Sequence, residues 1–128
     1  MVENLVLPHD HGHFIPQPEH TPAVEDLTLL ADVFKLLGDA SRVRIFWLLC
    51  HCEACVINLS AMMGMSSPAV SHHLKLLRAH GLIVSRREGK EVYYTAAHTP
   101  NAQVLHEMTE QIMETTCPAP ESVAETEP

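Results

Sequence analysis

The fold of this 128-residue chain is decided by the stretch "SSPAVSHHLKLLRAHGLIVSRREGKEVYY", residues 66–94. A serine pair followed by Pro68 is typical of a helix start, and Gly81 is typical of a helix end, so the sequence predicts a helix between them. Apolar and β-branched residues then flank "EGK", which predicts a β-hairpin with Gly89 in its turn.

The predicted helix has two contrasting faces. At 100° per residue, Val70, Leu74 and Leu77 define a buried edge, and His73 points inward beside them as a hydrogen-bonded structural histidine. The opposite face carries small residues, hydrogen-bond donors and cations: Pro68, Ser71, His72, Lys75 and Arg78. Such a face, placed after a short helix and a tight turn, is what a recognition helix needs in the major groove of DNA. The alternative is an ordinary solvated face.

The hairpin is also basic, and its cations are expected to straddle a phosphate backbone as a wing. Helix and wing together give a predicted DNA-contacting set, which comprises Ser67, Pro68, Ser71, His72, Lys75, Arg78, Arg86, Arg87 and Lys90.

Four further segments have apolar residues at helical spacing, and most are bounded by residues typical of helix starts or ends. They are "TPAVEDLTLLADVFKLLG", capped by Thr21; "DASRVRIFWLLC", capped by Asp39; "VINLSAMMG"; and "TPNAQVLHEMTEQIMETTC", capped by Thr99. The predicted fold is therefore mainly α with a β-hairpin, a winged helix–turn–helix in the order α-α-α-α-β-β-α. Residues 1–20 are expected to form a flexible His-rich arm, residues 21–116 the folded domain, and residues 117–128 a disordered acidic tail.

Charge distribution favours nucleic acid although the whole chain carries a net charge of −8. All eight Lys and Arg lie between Lys35 and Lys90, where only three acids oppose them, so this middle section carries +5. Such a section can meet phosphate. No apolar run is long enough for a membrane span and no secretion signal is visible, so a cytoplasmic protein is expected. A domain of roughly 95 residues buries a thin core, which predicts a dimer.

These motifs resemble the ArsR/SmtB family of winged-helix transcriptional repressors. The resemblance rests on "FKLLGDASRVRIFWLL" and "LSAMMGMSSPAVSHHLKLLRAHGLIVSRREGKEVYY" and covers roughly residues 27–113. It implies a homodimer that binds double-stranded DNA at an inverted-repeat operator and releases it when an inducer binds. It also implies that the first and last helices form the dimer interface, here through Leu27, Leu30, Phe34, Leu105, Met108 and Ile112.

A cysteine-rich window, "CHCEAC", precedes the third helix. Family members often carry two cysteines here; Cys55 matches the first, whereas Ile57 replaces the second. Cys52 and Cys55 nevertheless have C-x-x-C spacing, which can place two thiolates on one ion. Cys50 ends an apolar stripe and is predicted to pack in the core.

The N-terminal arm supplies imidazoles. In some family members such an arm completes a metal site, so His9, His11 and His13 are candidate ligands with the two thiolates. An S₂N₂ set favours zinc or cadmium as the inducing ion. A second candidate set, suggested by the family's site on the last helix, consists of His98, His106, Glu110 and Glu114.

Two other functions compete with metal-induced release of DNA. In the first, Cys52 and Cys55 form a disulfide and the repressor responds to oxidant or reactive sulfur. In the second, the protein carries or stores metal and binds no operator. No catalytic cluster or organic cofactor motif is visible, so an enzyme is not expected.

Overall fold

The computed structural model describes Pro8, His9, Gly12 and residues 21–117, which fold in the predicted order. Most of the predicted arm and the acidic tail lie outside the described residues, so the predicted boundaries of those segments stay predictions. The elements are α1 (Val24–Leu36), α2 (Ala40–His51), α3 (Val56–Met63), α4 (Ser67–Ala79), β1 (Ile83–Glu88), β2 (Glu91–Ala96) and α5 (Pro100–Thr116).

Side-chain caps begin three of the helices as the sequence predicts. Asp39 accepts a hydrogen bond from the backbone N–H of Arg42, and Ser66 and Thr99 cap α4 and α5 in the same way. The start of α1 was predicted wrongly, because the helix begins at Val24 and not beside Thr21. Ala23 occupies the N-cap position instead, without a side-chain cap hydrogen bond.

The core lies between α2, α3, α4 and the base of the hairpin. Among the described residues, every buried side chain is apolar. Cys50, which was predicted to pack in the core, is half-buried against it, as is Trp47, whereas Ile45, Phe46 and Leu49 are fully buried. Because α2 is covered from several sides, its buried face is wider than one stripe.

The hairpin pairs antiparallel from Ile83 opposite Ala96 to Glu88 opposite Glu91. Gly89, at the turn, has a φ of 64°, a backbone conformation that glycine adopts without strain. The connection between α2 and α3 adds a short bridge at the outer edge of β2. The backbone N–H of Ala54 donates to the Tyr94 carbonyl at 3.0 Å, and the Tyr94 N–H donates back at 2.8 Å. The cysteine window is thus hydrogen-bonded to the wing.

The flanking helices α1 and α5 leave apolar side chains in solvent. Leu36 is the one buried residue of α1, whereas Leu27, Leu30 and Phe34 are about half exposed. On α5, Ile112 is exposed and Met108 is half-buried against the core. Leu105, also predicted at the interface, is 7% exposed and packs in the core of its own chain. No described helix is both long and apolar enough to cross a membrane.

Candidate DNA-binding and metal-binding sites

Helix α4 presents its polar face to solvent. Its cap, Ser66, follows the turn after α3, whose left-handed Gly64 ends that helix, and Pro68 occupies the first turn. The buried edge is the predicted one, with Val70, Leu74 and Leu77 in the core. All predicted α4 contact residues are exposed: Ser67, Pro68, Ser71, His72, Lys75 and Arg78. Their position suits a recognition helix, and their contact with DNA stays a prediction.

An open depression of about 380 Å³ lies between α4 and β2. Ser71, Lys75 and Arg78 line it from the helix, and Tyr94 lines it from the strand. The cations therefore face the space between the recognition helix and the wing, where a phosphate strand would run beside the groove.

His73 has the structural role that its angular position predicts. Its Nδ1 lies 3.4 Å from Nη1 of Arg42, and Nε of the same guanidinium donates to the Leu36 carbonyl. Because guanidinium only donates, Nδ1 of His73 accepts and the ring proton sits on Nε2. Partial burial lowers the pKa of His73, against the opposing charge of Asp39.

The wing carries three cations, of which one is paired with carboxylates and two are exposed. Arg86 donates two hydrogen bonds to Glu53, at 2.6 and 2.8 Å, and a third to Glu88 at 2.9 Å. Hydrogen bonding from Arg86 holds the pKa of Glu53 below its usual value. Arg87 and Lys90 are exposed, and within residues 21–117 neither makes a side-chain hydrogen bond or ion pair. Of the predicted wing contacts, Arg86 is thus occupied by carboxylates and the other two are available to phosphate.

The window cysteines occupy the ends of the α2–α3 connection. Cys52 is exposed at the end of α2, and Cys55 is half-buried at the start of α3, where its thiol caps no backbone N–H. Within the described part of the chain, no third ligand-type side chain joins these two thiols. Of the predicted arm ligands, His9 is exposed, and His11 and His13 lie outside the described residues.

A three-residue cluster joins α2 to α5. Nε2 of His51 and Nε2 of His106 each lie 3.2 Å from Oε2 of Glu110, and the indole N–H of Trp47 donates to the same oxygen at 2.9 Å. Hydrogen bonds from His51 and Trp47, with a smaller effect from His106, hold the pKa of Glu110 below its usual value against partial burial.

Sequence reasoning found two of the three residues of this cluster. It named His106 and Glu110 in one candidate set with His98 and Glu114, which are exposed and lie outside the cluster. It missed His51, whose letter lies inside the quoted "CHCEAC" window. The available signal was its place four residues after Trp47, on one face of α2.

The sequence matches a family of known regulators. The sequence pattern of the bacterial regulatory protein, arsR family, matches residues 39–85, which run from the cap of α2 into β1. The chain is also 36% identical over 98 residues to the transcriptional repressor SmtB homolog of Synechocystis, covering 77% of this chain and 74% of that one. The chain belongs to the ArsR family.

Two further similarities describe this ArsR-family regulator. The cadmium resistance transcriptional regulatory protein CadC homolog of Staphylococcus aureus is 42% identical over 67 residues, covering 52% of this chain and 55% of that one. The homodimeric winged helix-turn-helix DNA-binding domain of a possible ArsR-family regulator from Mycobacterium bovis has a TM-score of 0.63 at 27% identity, covering 76% and 92% of the two chains. The predicted family and fold are confirmed, and the chain is a transcriptional regulator and not an enzyme.

Cys50 of this regulator should be the slowest thiol to alkylate. Burial, with the nearby Glu110 charge, raises its pKa from 9.0 to about 11, so at pH 8 its thiolate fraction is roughly 100-fold below that of an ordinary thiol. Timed iodoacetamide labelling with peptide mass spectrometry measures the rate, with exposed Cys117 as internal control. Equal rates for Cys50 and Cys117 in the native protein would contradict this packing; equal rates are expected only in guanidinium.

Proposed function

We propose that this protein is a homodimeric repressor that binds an inverted-repeat operator and releases it when a transition or heavy metal ion binds. The observation that carries the proposal is the division of α4 into two faces. One face lies wholly in the core, and the other offers hydroxyl, imidazole and cationic groups to solvent without a large hydrophobe. An α-helix with these groups exposed can read base edges in the major groove.

The dimer is supported by the apolar side chains on the outer helices. Leu27, Leu30 and Phe34 lie on one side of α1 at helical spacing, and each is 46–52% exposed. Ile112 on α5 is 52% exposed. A second protomer would bury these side chains and would place the two α4 helices on successive major grooves, about 34–36 Å apart.

Metal control is supported by the position of the cysteine window. Cys52 and Cys55, with His9, His11 and His13 of the arm, form the ligand set that the proposal assigns to zinc or cadmium. Glu53 lies between the two cysteines and holds Arg86 of the wing, while Ala54 is bridged to β2. Ligation at this window therefore acts on the segment that positions the wing, which can lower affinity for the operator.

The metal proposal is tested by fluorescence anisotropy on a family-type inverted repeat, with and without zinc and cadmium. Bound metal should raise the operator dissociation constant by about 5- to 150-fold, the usual range of allosteric coupling. Cys52→Ser should abolish this response and keep operator binding. Cys117→Ser is the matched control, because it removes another exposed thiol away from the window. An operator affinity that is unchanged by both metals would contradict metal sensing but not DNA binding.

A thiol switch is the second candidate, favoured by the two unpaired cysteines three residues apart, one of them exposed. It requires that peroxide or polysulfide release the operator in metal-free buffer. It also requires that release survive replacement of His9, His11 and His13 by glutamine. Loss of this oxidant-induced release in the triple variant would exclude a switch formed by the two thiols alone.

A further inference from the structure

The three side chains that join α2 to α5 offer ligand atoms to one point. Nε2 of His51, Nε2 of His106 and a carboxylate oxygen of Glu110 lie within 4.8 Å of one another. The two imidazoles stand edge to face, with ring centroids 5.1 Å apart, so both nitrogens aim at the same carboxylate. Two imidazoles and one carboxylate are a donor set that zinc accepts in proteins.

The spacing of these atoms suits a metal ion as well as hydrogen bonds. Tetrahedral zinc with bonds of about 2.0–2.1 Å to nitrogen and oxygen has ligand-to-ligand edges of about 3.3 Å. Each histidine nitrogen lies 3.2 Å from Oε2 of Glu110, so two of the three edges are already in place. The third edge, between the two imidazole nitrogens, is no longer than 4.8 Å.

The surroundings provide support and access. Trp47 donates its indole N–H to the Glu110 carboxylate, the kind of second contact that orients a ligating group. An open depression of about 420 Å³ adjoins His106 and Glu110, and Glu107 and Glu114 also line it. These carboxylates attract cations, and the half-exposed cluster leaves a fourth coordination position to solvent.

We propose that His51, His106 and Glu110 form a second metal site, contained within one protomer, that takes zinc or another borderline divalent ion. Its nitrogen and oxygen donors suit zinc, cobalt or nickel, whereas the thiolates of the cysteine window suit softer ions. Bound metal would tie α5 to α2 and so hold the dimerisation helix against the DNA-binding domain. The site is independent of the operator-release proposal, since it requires neither the cysteines nor the arm.

Cobalt titration of an untagged full-length variant tests the site without DNA. The variant replaces Cys52, Cys55 and Cys117 by serine and His9, His11 and His13 by glutamine, which removes the proposed ligands of the window and the arm together with the second exposed thiol. One cobalt ion per chain should bind with visible d–d absorption and without a thiolate-to-cobalt charge-transfer band, and zinc should displace it. Absence of cobalt binding in this variant would overturn the proposal and reduce the cluster to a hydrogen-bonded link.

Single replacements assign the ligands. In the same background His106→Gln and Glu110→Gln should each weaken cobalt binding by at least about 100-fold, since removing only a group that supports a ligand costs about 10- to 100-fold. Glu107→Gln and Glu114→Gln are matched controls, because they line the same depression without joining the cluster. Equal weakening of cobalt binding in the control variants would mean that the overall negative charge of the depression holds the ion, and not the three-residue cluster.

A measurement on the unaltered protein covers the case in which a replacement disturbs folding. Long-range ¹H–¹⁵N spectra of the histidine rings should show zinc-dependent shifts of Nε2 for His51 and His106. Unshifted Nε2 signals at saturating zinc would overturn the proposal. Operator anisotropy is recorded separately, so failure of metal-induced release and failure of this site give different results.

Discussion

Lys75→Glu is expected to weaken operator binding by roughly 10² to 10⁴-fold. Lys75 is exposed on the polar face of α4 and lines the depression between that helix and the wing. Removing a side-chain interaction with DNA of this kind costs about 1–3 kcal/mol, and the dimer carries the change twice. The introduced carboxylate would in addition repel the phosphate backbone, which places the expected effect toward the upper end of the range.

Anisotropy at two salt concentrations measures this effect and its origin. The slope of log K against log salt should fall by about 0.9 for each phosphate that the variant no longer neutralises. Lys35→Glu is the matched control, because it makes the same charge change at an exposed site on α1. Circular dichroism and thermal melting verify that both variants fold. Wild-type affinity in Lys75→Glu would mean that α4 is not the recognition helix.

Phe34→Glu is expected to convert the dimer to monomers and to abolish tight operator binding with it. Phe34 is 52% exposed in the protomer, so a charge there costs the isolated fold little. In the proposed dimer the same carboxylate would be buried without a partner, at a cost of about 3–5 kcal/mol in each protomer. A monomer presents one recognition helix and reads one half of an inverted repeat.

Sedimentation equilibrium measures the dissociation constant of the Phe34→Glu variant directly. Thr28→Glu is the matched control on the same helix, because Thr28 is exposed and lies about 160° around α1 from Leu30. The control should remain dimeric and bind the operator normally. A dimeric Phe34→Glu protein would place the interface on another surface.

Much of the fold follows from local signals in the sequence. The caps Asp39, Ser66 and Thr99 and the turn at Gly89 act within a few residues, so each was predictable from its neighbours. The two faces of α4 follow from its 3.6-residue period in the same way. The start of α1 was missed because the Thr-Pro pair predicts a cap at Thr21, whereas Ala23, which makes no side-chain cap hydrogen bond, takes the N-cap position.

The candidate sites depend on contacts that local signals do not encode. Arg86 and Glu53 are 33 residues apart, and His51 and Glu110 are 59 residues apart. In the sequence, Arg86 and His51 are indistinguishable from ordinary surface residues. Each meets its carboxylate partner only because two elements distant in the sequence pack together. Leu105 is a further example. An apolar residue on α5 can pack against a partner or against the core of its own chain, and the sequence pattern is the same in both cases.

The bridge between Ala54 and Tyr94 anchors the base of the wing but not its tip. Two backbone hydrogen bonds fix β2 at Tyr94, whereas the tip at Gly89 lies beyond the last paired residues. From Tyr94 to Glu91 the strand extends about 10 Å, at roughly 3.3 Å per residue. A small tilt of the backbone at Ala54 would therefore move Lys90 by a larger distance, so a ligand bound at the cysteine window could displace the phosphate contact proposed for the wing.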